Sequence, residues 1–185
     1  MKKINYKIFA IFVVAVIMIM SYVTGGYFYG HDTVVHLSVL SSLLENINGF
    51  TFKLNSISPI IAHDFGYATG IFYPPLAYHL IIYIYQIISH FNVGLIFSIK
   101  IFYFASIFLS GLFMFLFSKK VSKNEWAALL SAIFYMLCPY HILDIFVRDA
   151  IGESLLFVFI PLIFLGILYL FEGNIKRFYL VVLSS

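Results

Sequence analysis

The 185-residue chain is 63% hydrophobic and 20% aromatic, with only 10% charged residues and a mean hydropathy of +1.02. That composition excludes a soluble domain of ordinary make-up and points to an integral membrane protein. One cysteine, Cys138 within an apolar run, excludes a disulfide framework or a cysteine-based metal site; the net charge of +3 is less informative than where the charges fall.

Lys2, Lys3 and Lys7 precede an uncharged run, Ile8 to Tyr27, long enough to cross a bilayer. The start resembles a secretory signal, but the run exceeds a usual signal core and ends in Thr24-Gly25-Gly26 without a small-x-small cleavage site, so it reads as a retained anchor. Between His31 and Ile47 the apolar positions Val34, Leu37, Leu40, Leu44 and Ile47 step by three and four, predicting an amphipathic helix on the membrane surface that ends at Asn48-Gly49. Phe50 to Tyr73, with Pro59, Gly66 and Gly70, reads as an ordered loop returning to the bilayer. Pro74 to Ser89 is apolar but falls short of the roughly 20 residues that a spanning helix needs.

The expected fold is therefore all-α: a single module, 1–185, forming a polytopic transmembrane helical bundle with interfacial juxtamembrane helices. Its spans are about 8–27, 93–117, 126–141 and 154–171, its outer loops are 28–92 and 140–153, and 178–185 reads as the start of a further helix. Basic residues decide the ambiguous segment. If Pro74 to Ser89 does not cross, Lys2, Lys3, Lys7, Lys119, Lys120, Lys123, Lys176 and Arg177 share the N-terminal side, with only Lys53 and Arg148 opposite. If it crosses, four basic residues lie inside against six outside. The positive-inside rule selects the first arrangement, with a cytoplasmic N-terminus in the cell membrane. All six histidines (His31, His36, His63, His79, His90 and His141) then lie outside, with Asp32, Glu45, Asp64, Asp144, Asp149 and Glu153.

Three constellations on that side carry chemistry. Asp32 opens the surface helix, either as an N-cap worth about 1 kcal/mol or as a general base or metal ligand sharing a face with His36. From Tyr140 to Glu153, Asp144 with Arg148 and Asp149 with Glu153 are helical i,i+4 neighbours; ionisable groups at membrane level also suggest function. His63-Asp64-Phe65-Gly66-Tyr67 and Phe72-Tyr73-Pro74-Pro75 make either a turn with an interfacial aromatic belt or the wall of a sugar or lipid site. Lys100, inside the second span, snorkels or pairs with a lipid phosphate. No Gly-rich phosphate loop, G-x-S-x-G, H-E-x-x-H or paired C-x-x-C occurs, and nothing suggests a nucleic-acid partner.

In order and spacing, Gly30-x-Asp32-x-x-x-His36-Leu37, Gly66-Tyr67 with Phe72-Tyr73-Pro74-Pro75-Leu76, and Tyr140-x-x-x-Asp144-x-x-x-Arg148 with Glu153 resemble the N-terminal part of the C-type (GT-C) glycosyltransferases. The resemblance is to a bacterial membrane family related to cell-envelope glycosyltransferases, some of whose members bear the label 6-pyruvoyl-tetrahydropterin synthase-related membrane domain. It implies an enzyme that moves a sugar from a polyprenyl-phosphate donor to a cell-envelope acceptor on the outer face. Asp32 matches the family's first-loop acid, Asp144 and Glu153 its second acidic loop, and Pro74-Pro75 the start of a juxtamembrane helix. With His36 these acids form the expected catalytic set; His31, Tyr67, Tyr73, Lys100, His141 and Arg148 are the expected substrate contacts. A divalent ion, Mg²⁺ or Mn²⁺, held by Asp32 with Asp144 or Glu153 suits the donor types. Family members have more spans than this chain shows. The rival readings are a transporter or flippase subunit and a non-catalytic membrane scaffold.

Overall fold

The computed structural model describes residues 6–24, 29–47, 65–66, 68, 73–91 and 94–173, and among them every regular element is helical. These are α1 (Tyr6–Thr24), α2 (Thr33–Asn46), α3 (Pro75–Ile88) with a 3₁₀ turn Ser89–Phe91, α4 (Leu95–Ser122), α5 (Glu125–Met136), α6 (Pro139–Leu143) running into a π turn Asp144–Arg148, and α7 (Ile151–Phe171). Three stretches are long and apolar enough to cross a membrane: Leu95–Ser122, Glu125–Arg148 and Ile151–Phe171. That is compatible with a multi-pass membrane protein. The loop around His63-Asp64, Tyr67 and the stretch 178–185 lie outside the described residues.

Helix α4 is central, packing on α1, α3, α5 and α7. Its buried side includes Ser98, Ser106, Ser110, Gly111 and Ser118 among Ile99, Phe102, Tyr103, Ile107 and Phe115. Small residues at such an interface let helix backbones approach closely, which is how helices associate when surrounding lipid removes the hydrophobic drive between them. At Gly111 a Cβ would stand 2.3 Å from Met136 Sδ and 3.0 Å from Ile11 Cγ2, so α1, α4 and α5 meet there.

The bundle has two chemically different ends. At one, α4 stops with Lys123 in the left-handed region (φ 54°), and Asn124 caps α5 by accepting from Trp126 N (2.9 Å) and Ala127 N (3.3 Å). Glu125 receives both Lys7 and Lys119, the latter at 2.6 Å, and Lys120 meets Glu172 at 2.6 Å. At the other end lie Asp149, Arg148 and Glu153. Tyr103, which bonds Asp149, and Lys119 are sixteen residues apart on α4, so about 24 Å of helix separates the ends. Helix α1 covers the same distance, with Lys7 on Glu125 and Tyr22 on Asp149.

Helix α3 has both its ends at the Asp149 end. Tyr73, just before it, bonds Gly152, and the chain after it enters α4 at Leu95, about 12 Å further out than Tyr103. Pro75 takes the first turn of α3, where its missing N–H is not needed.

Three expectations are corrected. The third hydrophobic stretch does not give way to a loop at 140: after a break at Leu137-Cys138, where Pro139 disfavours a helical Cys138, the chain stays helical to Arg148. The connection to α7 shrinks to Asp149 and Ala150, and α7 begins at Ile151 rather than Ser154. Helix α2 is present, but Val34 is 67% exposed, and the buried face is Thr33, His36, Val39, Leu40, Ser42, Leu43 and Ile47. Thr33 and His36 turn inward because polar partners await them there.

Candidate functional site

The site is built on the tight turn between the π segment and α7. Asp149 takes a left-handed conformation (φ 61°), which Asp tolerates better than most residues, and so faces its carboxylate inward. It is only 1% exposed. Thr33 Oγ1 donates to it at 2.5 Å, Tyr103 OH at 2.6 Å and Tyr22 OH at 3.4 Å. One carboxylate therefore ties α1, α2 and α4 to the turn. Three hydroxyl donors are what a buried charge needs to offset its lost hydration.

The segment that carries Asp32 is locked to the same turn. His31 N donates to Val147 O (3.2 Å) and Asp32 N to Arg148 O (3.0 Å), while Gly30 N donates to Thr33 Oγ1 (2.8 Å). A Cβ on Gly30 would lie 2.7 Å from Asp149 Cβ, 2.8 Å from Asp149 N and 2.9 Å from Arg148 C. The close approach of the two backbones is thus open only to glycine. Asp32 itself does not cap α2 with its side chain; it lies at φ −100°, ψ 0°, and its carbonyl accepts from His36 N at 3.0 Å. The reading of Asp32 as a side-chain N-cap is therefore corrected: its backbone N–H is directed across to Arg148 O and its carbonyl starts the helix, while its carboxylate accepts nothing from α2. Among the described residues, the Asp32 carboxylate makes no hydrogen bond.

Beside it, Arg148 bridges two acids: Nη1 donates to Asp144 Oδ1 at 2.7 Å and Nη2 to Glu153 Oε1 at 2.9 Å, with Tyr140 OH 3.3 Å from Nη1. By donor count, Nε and one Nη2 hydrogen remain for a ligand. Asp144 is fully buried, and its Oδ2 has no partner among the described residues. Its carbonyl accepts from Ala150 N (2.8 Å) and from Asp149 N, closing the turn.

An aromatic shelf completes the site. His36 Nδ1 lies 2.7 Å from Tyr78 OH, and the His36 ring stands 5.3 Å from Tyr73 and 5.7 Å from Tyr78. Tyr73 OH accepts from Gly152 N at 2.7 Å. Burial pushes the Tyr73 hydroxyl up to about 12 and the Tyr78 hydroxyl higher still, so both remain neutral donors at physiological pH. Burial lowers His36, against the opposing fields of Asp149, Asp32 and Glu153. Its Nε2 is buried without a partner of hydrogen-bonding geometry, although the Asp149 backbone is close enough to favour the protonated ring.

Asp32, His36, Tyr73, Asp144, Arg148 and Glu153 thus gather at one end of the bundle. His31 is exposed at the rim and held there through its backbone. Lys100 lies beside the Asp149 cluster, its Nζ 6.0 Å from the ring centroid of Tyr22, whose hydroxyl donates to Asp149. His141 is corrected as a substrate contact: it is fully buried and stacked on Phe157 at 4.1 Å, with Tyr135 beside it. The helical continuation through Leu143 turns it into the core. Tyr67 lies outside the described residues.

The divalent-ion reading is not met by the donor set. Among the described residues no three of His, Cys, Asp and Glu converge on one point, and both Asp144 and Glu153 are given to Arg148. Thr33, Tyr22, Tyr103 and Asp149 are the residues that sequence reasoning left out of the site. The signal for Asp149 was an acid at a helix junction three residues before the close-packed Gly152, whereas the three hydroxyls carry no local signature. No protein-family model, curated protein or solved structure matches this chain.

Proposed function

We propose that this chain is the N-terminal membrane module of a GT-C-like glycosyltransferase that moves a sugar from a polyprenyl-phosphate donor to a cell-envelope acceptor. The observation that carries the reading is an unengaged carboxylate on a segment whose backbone is bonded to that of Arg148, a residue whose guanidinium is fixed by two acids. Asp32 is held by backbone bonds at Arg148, yet its own side chain is not used by the fold. A base needs that combination of fixed position and free lone pairs.

In the proposed step Asp32 accepts the proton of the acceptor hydroxyl as that oxygen bonds to the anomeric carbon. The bond from this carbon to the phosphate oxygen breaks, the electron pair leaves with polyprenyl phosphate, and the anomeric configuration inverts. The remaining donors of Arg148, with the Tyr73 hydroxyl, meet charge growing on the phosphate. Asp144 and Glu153 act as positioning residues that orient the guanidinium. Isoprenoid chains fit alongside α3, whose ends both lie at this end of the bundle. The N-terminus is assigned to the cytoplasm, because the lysines cluster at the opposite end.

A transporter reading is disfavoured, since transporters place their ionisable groups near the bilayer midplane, whereas Asp149, Arg148 and Glu153 lie at one end of the bundle. The test is transfer from a radiolabelled polyprenyl-phosphate hexose by the full-length protein in proteoliposomes. Asp32→Asn should abolish transfer, while Asp32→Glu retains a fraction. Normal turnover by Asp32→Asn removes the assignment, and Asp32-dependent solute uptake without transfer favours the transporter.

A further inference from the structure

At the lysine end, away from the proposed site, α4 and α7 part to leave a cleft of about 500 Å³ lined by Leu116, Lys119, Lys120, Lys123, Leu165, Tyr169 and Glu172. Leu116, Lys119 and Lys120 lie on one stripe of α4, with Lys123 as its C-cap, and Leu165 and Tyr169 on one stripe of α7, with Glu172 as its C-cap, so the cleft is a feature of two facing surfaces and their ends. It is graded along the bundle axis: Leu116 and Leu165 lie deeper, and the charged residues sit at the helix ends.

We propose that this cleft binds the headgroup of an anionic phospholipid. Its phosphate would be taken by Lys123 and Lys120, and the first part of an acyl chain would lie over Leu116 and Leu165. Lysines near a helix C-terminus also complement the helix dipole, which alone would explain Lys119 and Lys120. Those two already face carboxylates, Glu125 and Glu172 respectively, at 2.6 Å. The Lys120 ammonium is further fixed 4.9 Å from the Tyr169 ring centroid. Lys123 differs: it is exposed, it leaves the helix in a left-handed conformation, and it has no ion-pair or hydrogen-bonding side-chain partner among the described residues. Three ammonium groups against one lining carboxylate leave the cleft cationic, and its apolar floor at the end of two membrane-length helices suits a lipid better than a soluble anion. The inference does not depend on the glycosyl-transfer reading.

The test is native mass spectrometry of the full chain, released from detergent micelles doped with equal amounts of phosphatidylglycerol and phosphatidylcholine. Phosphatidylglycerol adducts should dominate. Lys123→Asn, chosen because Asn tolerates the left-handed backbone, should lower their retention about fivefold, the effect of one lysine near a charged lipid surface. Lys123→Arg should keep the selectivity. A matching monodispersity profile in size-exclusion chromatography establishes that the variants are folded. Equal retention of the two lipids, no change in Lys123→Asn, or displacement of the lipid by an equal concentration of glycerol phosphate would each overturn the proposal.

Discussion

Gly30→Ala puts one methyl group at the junction on which the site depends. The added Cβ meets Asp149 Cβ at 2.7 Å and two backbone atoms, Asp149 N at 2.8 Å and Arg148 C at 2.9 Å, none of which can swing aside. Two responses are open to the molecule. Peeling the segment away gives up His31 N to Val147 O and Asp32 N to Arg148 O, each about 1 kcal/mol, and Thr33 to the buried Asp149 carboxylate, about 2 kcal/mol more. Staying docked costs about 1–3 kcal/mol of overpacking strain. The cheaper response sets the result, so the expected loss is about 2 kcal/mol. It would be read from reversible unfolding in mixed dodecylmaltoside and SDS micelles. Gly111→Ala is the comparison. Its Cβ would be closer still to a neighbour, 2.3 Å from Met136 Sδ, but that atom ends a flexible side chain and can move, so the loss there should be smaller. Equal losses at the two glycines, or a neutral Gly30→Ala, would refute the claim that the two backbones are in direct contact.

Two further outcomes follow from the same geometry. Thr33→Val should destabilise the protein by about 2–3 kcal/mol, because it strips a donor from the buried Asp149 and leaves Gly30 N without its acceptor, whereas Thr33→Ser should recover most of the loss; a double-mutant cycle with Tyr103→Phe should show coupling through the shared carboxylate. Burial lowers His36 below its unfolded value near 6.5, so its contribution to stability is complete above that pH. It is lost as pH falls from there through the folded value, because the unfolded chain takes up the proton first. The slope of unfolding free energy between pH 5 and 7 should therefore be shallower in His36→Gln, by at most about 1.4 kcal/mol per pH unit; identical slopes would place the His36 ring in water.

Much of the architecture was legible in the residues. Long apolar runs can be satisfied in lipid only as helices, so the membrane-length helices of 95–122 and 151–171 follow from hydropathy nearly by themselves. Pro75 in a first helical turn is a local signal with a local cause. Scarcity of charge also identified Asp32, Asp144, Arg148 and Glu153, since at 10% charged residues each ion demands a reason.

Tertiary structure alone decided which of those ions the fold consumes. Periodicity assigned Val34 to the buried face of α2, but a carboxylate more than a hundred residues away drew Thr33 inward and turned the helix. Asp149 looked like one acid among several until its left-handed backbone brought three hydroxyls from three helices onto it. His141 has the composition of a ligand and the surroundings of a core residue. Hydrophobic period and capping are properties of neighbouring residues, so a sequence carries them openly. The partner of a buried polar group is settled by whichever distant donor the packed helices bring within about 3 Å, and nothing local encodes it.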